Sequence, residues 1–356
     1  MIVEKLTLKN FRNHHYLSYE FQKGINLIVG PNGVGKTNIV EAIYYLSLVR
    51  SFRTPDEPNL IQKGQEHAEV SSVIREGDIV RKIKVDLSKD GRRVLLNNKP
   101  VGKISTLAKC VNVVLFEPKD VLLFRGLPKA RRNFLDINIS KRSPTYLDTI
   151  SRYEKVLRER NELLKQENPD KILLETTTDL LVKLSAPIVS YRQMYVKDIN
   201  DILIKITRAL TGVEEKIQIH YTPFVAYDKD FQVKAKEAFT KGLEGDLKKK
   251  ATSIGIHRED FSVSLNGRDI AMFGSQGENR LVALALKLSP YFLIEDKDKR
   301  PIVVLDDVLS ELDKNHQERL IKFLRKFEQV FITSTHASIK DVALYELKAK
   351  TNKEVF

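Results

Sequence analysis

The stretch that most constrains this chain is Gly30-Pro31-Asn32-Gly33-Val34-Gly35-Lys36-Thr37, which fits the pattern G-x-x-x-x-G-K-S/T. Its glycines let the backbone curl so that several N–H groups point inward, a cradle for phosphate oxygens. Lys36 is placed to reach β- and γ-phosphates, and the Thr37 hydroxyl to ligate Mg2+. Such a loop needs a strand before it and a helix after it. Ile25-Asn26-Leu27-Ile28-Val29 reads as the strand, and Ile39, Ala42, Ile43 and Leu46 recur at helical spacing behind Lys36. The helix adds its positive N-terminal dipole. The expected fold class is therefore α/β, built around a nucleotide-binding sheet.

A second signal is Ile302-Val303-Val304-Leu305-Asp306-Asp307. An apolar strand here delivers acid at its carboxyl end, where α/β folds place ligands. Asp306 is the candidate holder of Mg2+ through water, and Asp307 the candidate that polarises an attacking water. A third is Gly274-Ser275-Gln276-Gly277-Glu278, just ahead of Arg280–Leu288, which reads as a buried apolar helix. Backbone N–H groups and Ser275 at a helix N-terminus form an anion site with no partner in their own phosphate loop. In ABC-type ATPases such a loop caps the γ-phosphate held by the opposite subunit. Ser275 and Gly277 are thus candidate nucleotide contacts in an ATP-dependent homodimer. Ser310-Glu311-Leu312-Asp313 lies where a dimer-contact loop belongs, and Thr335-His336, after the strand Val330–Thr333, fits a γ-phosphate-sensing histidine. Each fragment alone reads as an ordinary turn; their order carries the ABC reading. A GTPase would need Asn-Lys-x-Asp, and Asn98-Lys99-Pro100-Val101 lacks the acid, so ATP is the expected nucleotide.

Charge bears on partners. Lys and Arg number 60 against 47 Asp and Glu, a net charge of +13. This favours a polyanion, although a solvated lysine-rich surface gives the same balance. No run of about 18 apolar residues occurs, so no membrane span is expected. Charge arrives within Met1–Leu6, which argues against a signal peptide. The single cysteine, Cys110, excludes an internal disulfide and a cysteine metal site, and a reducing cytoplasm is the expected compartment. Lys109 before it and Val111, Val113, Val114 and Leu115 after it read as the entry to a buried strand ending at Phe116.

Short strands are expected at Ala68–Ile74, Ile79–Leu87, Arg92–Leu96 and Phe261–Leu265, with turns at Gly77-Asp78, Asp90-Gly91, Asn97-Asn98 and Asn266-Gly267. From Leu127 to Lys250 the chain reads as mostly helical and charged. Its clearest helices are Ser151–Gln166 and Leu180–Leu210, and Pro169 and Pro187 are expected to interrupt it. No heptad repeat sustains a long coiled coil. Lys248-Lys249-Lys250 reads as a solvated face.

With these motifs in place the chain resembles the RecF family, compact relatives of Rad50 and SMC heads. The resemblance is carried by Leu8-Lys9-Asn10-Phe11-Arg12-Asn13, Arg50-Ser51-Phe52-Arg53, Phe116-Glu117-Pro118-Lys119-Asp120, Gly126-Leu127-Pro128, Arg131-Arg132-Asn133-Phe134-Leu135-Asp136, Gly255-Ile256-His257-Arg258-Glu259-Asp260 and Leu305–Asp313. It implies an ABC-type head in two lobes. Residues 1–125 and 295–356 would form the ATP-binding lobe, and 126–294 a helical lobe ending in the signature loop. It implies that Arg12 contacts nucleotide, and that the protein binds double-stranded DNA at single-strand gap junctions and works with RecR and RecO so that RecA loads. Asp307 replaces the usual glutamate and is one methylene shorter, which implies slow hydrolysis and not inactivity. A slow DNA-stimulated ATPase switch is the expected activity, and an ATP-binding scaffold without turnover is the alternative the sequence leaves open. The signature reads Ser-Gln-Gly-Glu where transporters read Ser-Gly-Gly-Gln. Glu117 is the nearest candidate for the Mg2+-contacting glutamine of other heads. Arg125, Lys129, Arg131, Arg132, Lys141 and Arg142 are candidate DNA-groove residues, each equally readable as solvated surface. The competing function is an ABC-type subunit that drives a protein or membrane partner without nucleic acid.

Overall fold

The computed structural model describes residues 1–102, 107 and 110–348. Lys109 lies outside the described residues; Cys110 is buried. By its contacts the chain divides into two compact units. The first comprises Met1–Asp120, Lys205–Glu214 and Leu284–Phe356, the second Val121–Ile204 and Glu215–Ala283.

The amino-terminal part of the first unit contains β1 (Ile2–Phe11), β2 (His14–Glu20), β3 (Gly24–Val29), α1 (Lys36–Leu48), β4 (His67–Glu76), β5 (Ile79–Ser88), β6 (Gly91–Leu96), β7 (Lys99–Pro100) and β8 (Val113–Phe116). Helices α2 (Pro128–Arg142), α3 (Pro144–Leu164) and α4 (Lys171–Thr211) follow, then β9 (Ile217–Thr222), α5 (Phe231–Lys249), β10 (Asp260–Leu265), β11 (Arg268–Asp269) and the short α6 (Ile270–Phe273). The chain closes with α7 (Gln276–Phe292), β12 (Ile302–Leu305), α8 (Lys314–Leu324), β13 (Gln329–Ser334) and β14 (Ala343–Glu346). Helices α4 and α7 contribute residues to both units.

Two sheets build the first unit. One is antiparallel, in the order β2-β1-β4-β5-β6-β7. Its strands alternate, as β4 does with Ala68, Val70, Ser72 and Ile74 buried, because one face meets the core. The other has the order β14-β3-β13-β12-β8 and is parallel throughout. Its central strands are short apolar runs buried on both faces, such as Ile302–Leu305. Helix α1 packs on β1, β8 and β13, burying Ile39, Ile43 and Leu46. Gln329 ties the layers. Its Oε1 accepts from the Val3 N–H at 2.8 Å, and its Nε2 donates to the Val3 and Gln22 carbonyls at 2.9 and 3.0 Å. The β1–β4 register shifts between Val3 and Lys5, where this buried amide pairs with the strand's own backbone.

The second unit holds α2, α3, α5 and the three-stranded sheet β11-β10-β9. Two buried guanidinium groups organise it. Arg192 donates to Glu259 at 2.6 Å and to Asp136 at 2.9 Å; Arg160 donates to Asp246 at 2.8 Å. Removing one partner of such a pair leaves an uncompensated buried charge.

Three expectations change. Pro187 lies inside the 41-residue α4 and does not interrupt it. The loss of one N–H is tolerated because the apolar stripe of α4, including Leu181, Val182, Leu184, Ile188 and Val189, stays buried on either side. The region from Leu127 to Lys250 also contains a strand, β9, paired antiparallel with β10. Arg131 is buried and unavailable to a groove: it forks onto Asp260 at 2.6 and 2.7 Å and donates to the carbonyls of Leu123, Phe124 and Gly126. Lys248, Lys249 and Lys250 are exposed, as expected.

Candidate functional site

The register of the parallel sheet fixes what meets at its carboxyl edge. Val29 pairs with Ser334, and Leu305 pairs with Ile332 on one side and Phe116 on the other. Gly30, Thr335, Asp306 and Glu117 therefore leave the sheet at one edge. This is where a parallel sheet presents its ligand-binding loops.

The loop Gly30–Gly35 leads into α1 with Gly35 as N-cap at φ 108°. A Cβ at Gly35 would come within 2.6 Å of the side chains of Asn13 and His14. Asn13, in the β1–β2 turn, and His14, the first residue of β2, brace the loop. Asn13 Nδ2 donates to the Val34 carbonyl at 3.0 Å, and His14 Nε2 lies 3.1 Å from the Gly35 carbonyl. Pro31, Asn32 and Gly33 are exposed and Val34 is half-buried. Lys36 is buried and donates to the Gly30 and Pro31 carbonyls at 2.7 and 2.9 Å. Burial pulls its pKa below the ordinary value, against the opposite pull of Asp307 and Asp306.

Thr37 and Asp306 come together: the Thr37 hydroxyl donates to Asp306 Oδ1 at 3.1 Å. The Thr333 hydroxyl donates to the same oxygen at 2.7 Å, and the Asp307 N–H donates to Thr333 Oγ1 at 2.9 Å. Burial lifts the Asp306 carboxyl above the usual carboxylate range, while the bonds from Thr333 and Thr37 draw it back. Asp307 is exposed, in the left-handed region at φ 49°, which aspartate tolerates better than most residues. A hydroxyl and a carboxylate are hard oxygen donors and fit Mg2+. Among the described residues no cluster of three or more His, Cys, Asp or Glu side chains is present.

Arg12 does not stand free. It forks onto the buried Glu41 at 2.9 and 2.6 Å and donates to the Asn59 carbonyl at 2.9 Å. Arg53 and Ser51 also reach Glu41. Glu117 faces Lys119 at 3.0 Å, and burial raises its pKa. Ser310 donates to the Asp307 carbonyl at 2.9 Å, and Asp313 caps α8. His336 is exposed just beyond β13, its N–H donating to Ser334 Oγ at 3.3 Å.

In the second unit Ser275 precedes α7, and Glu278 completes a capping box. The Ser275 N–H donates to Glu278 Oε2 at 2.7 Å, and the Glu278 N–H donates to Ser275 Oγ at 3.2 Å. The Gly274 carbonyl accepts from Arg125 Nη2 and Asn279 Nδ2, both at 3.0 Å, which fixes the loop; Gly277 is exposed in the first turn. Arg132 donates to the Glu259 carbonyl at 2.7 Å, and Arg142 pairs with Asp198 at 3.0 Å. Lys129 is exposed.

His14, Glu41 and Thr333 carry much of this geometry, and none is a motif position in its own right. The one sequence signal among them is Glu41, an acid four residues after Thr37 on the apolar side of α1.

The sequence model of the RecF/RecN/SMC N terminal domain family matches residues 2–354. The DNA replication and repair protein RecF of Oceanobacillus iheyensis is 34% identical over 367 residues, covering 98% of each chain. A solved structure of the recombination mediator protein RecF-ATP in the RecFOR pathway superposes with a TM-score of 0.88 at 32% identity, covering 98% of this chain and 97% of that one. The Smc head domain of Pyrococcus furiosus has the same fold at a TM-score of 0.57 and 18% identity, covering 94% of this chain and 89% of that one.

Proposed function

The chain belongs to the RecF family, and from that membership we propose that it is an ATP-switched DNA clamp of gap repair and replication restart. ATP binds at the loop Gly30–Thr37. Lys36 turns from the Gly30 and Pro31 carbonyls, which it meets at 2.7 and 2.9 Å, toward the phosphates. Thr37 and Asp306 hold Mg2+, which supplies charge neutralisation at the phosphates. Asp307 orients the attacking water, and His336 contacts the γ-phosphate. Ser275 and Gly277 of a second copy cap the same nucleotide, so that a dimer forms with ATP and closes over duplex DNA at a single-strand gap junction. In this reading the clamp acts with RecR and RecO to load RecA, and slow hydrolysis releases it.

The observation that most supports this reading is the meeting of Thr37 and Asp306, 3.1 Å apart, beside a phosphate loop whose lysine is already within it. The decisive test is the ATP hydrolysis rate against protein concentration, with and without gapped duplex DNA. Specific activity is expected to rise with concentration and to rise again with DNA. A flat profile unmoved by DNA would leave a monomeric ATP-binding protein with some other partner.

A further inference from the structure

We infer that Thr333 is a positioning residue that holds the acid pair Asp306 and Asp307 in register for Mg-nucleotide. The inference rests on the reading of Asp306 as a magnesium-holding carboxylate. One hydroxyl makes two bonds of opposite sense. It donates to Asp306 Oδ1 at 2.7 Å and accepts from the Asp307 N–H at 2.9 Å. The first bond fixes the rotation of a carboxylate; the second fixes the peptide that follows it.

That peptide begins a residue at φ 49°, a conformation that an unrestrained aspartate leaves readily. The accepting bond from Thr333 holds it there and so sets the direction in which the exposed Asp307 side chain leaves the sheet. The position of Thr333 suits the task. It is 1% exposed, on the strand between the phosphate-loop strand and the strand of Asp306, so neither solvent nor ligand competes for its hydroxyl.

Thr37 is different. Its hydroxyl shares the same oxygen at 3.1 Å but is only half-buried, and it must turn away to serve a metal. Once Thr37 leaves, Thr333 is the hydroxyl that keeps Asp306 aimed. The strand ends one residue on, at Ser334, whose Oγ accepts from the His336 N–H at 3.3 Å.

The experiment titrates Mg2+ against binding of a fluorescent ATP analogue by the full chain. Thr333→Val, which keeps shape and removes the hydroxyl, is expected to raise the Mg2+ midpoint about tenfold, the scale of one bond to a charged group. Analogue binding in EDTA should be unchanged, and Thr333→Ser should titrate like the parent chain. A Thr333→Val midpoint equal to the parent's overturns the inference, and so does a Thr333→Ser shift as large as that of Thr333→Val, which would mark side-chain fit at this position rather than the hydroxyl as the cause. If Thr333→Val does not fold, Thr333→Ser and Thr333→Ala decide, since they differ only in the hydroxyl; equal midpoints overturn the role. Asp306→Asn separates the two levels. If it leaves the midpoint in place, the magnesium reading itself fails. If it shifts the midpoint and Thr333→Val does not, only the role of Thr333 fails.

Discussion

His257 sits between two fixed partners: its Nε2 donates to the Thr252 carbonyl at 3.0 Å, so its Nδ1 accepts from the Tyr153 hydroxyl at 3.0 Å. Accepting from Tyr153 requires the neutral ring, and burial drops the pKa from 6.5 to about 4. The unfolded chain therefore takes up a proton before the folded one does. Stability from this group is complete above pH 6.5 and drains away as pH falls toward 4, at about 1.4 kcal/mol per pH unit. Urea unfolding followed across that window should show the slope, and His257→Gln, which can still donate and accept, should flatten it. A slope unchanged in His257→Gln would place the titration elsewhere. At this scale the sequence is legible only where function writes contiguous motifs. Lys36, Thr37 and Asp306 stand in such runs, and the structure brings Thr37 to Asp306. Thr333 and Glu41 do not, because a single polar residue within an apolar strand or helix shows its purpose only through partners distant in sequence. Arg131 misleads for the same reason: nothing local tells a guanidinium bound to Asp260 from one facing solvent.

Among the elements, α7 is the one whose end matters most. Its capping box uses the very serine proposed to cap a nucleotide, so the loop is ordered by Glu278 beforehand. Glu278→Ala should cost about 1 kcal/mol, read as a lower urea midpoint, with faster amide hydrogen exchange confined to the first turn of the helix. Exchange unchanged there would show that Arg125 and Asn279 alone hold the loop. Strands flanked by glycine or Asn-Gly turns, and helices with a clear apolar stripe, are readable in advance. The run Ile217-Gln218-Ile219-His220-Tyr221-Thr222 also alternates, yet it is hidden among helices, and its pairing with β10 comes from a segment far along the chain. Pro187 warns against local rules: the burial of a long stripe outweighs one missing hydrogen bond.

For the molecule as a whole, a net charge of +13 gives the proposed clamp a general attraction for DNA rather than a reading of its bases. Affinity for gapped duplex should fall about a thousandfold or more between 50 and 200 mM salt if six or more phosphates are contacted, and duplexes of unrelated sequence should bind alike in an anisotropy titration. Salt-insensitive binding would argue for base contacts instead. A separate consequence follows from the bond between Val3 and Gln329, partners 326 residues apart. A ribosome adds about 5–20 residues each second, so the first strand waits on the order of tens of seconds for the residue that secures it. Meanwhile β3 has neither β13 nor β14 beside it, and both of its edges are open. A nascent chain released early carries the phosphate loop without its acids, a product with exposed strands and an incomplete site. The order in which the strands are synthesised thus makes nucleotide holding a late event in the birth of the chain, and leaves the emerging amino-terminal half in need of shelter until translation ends.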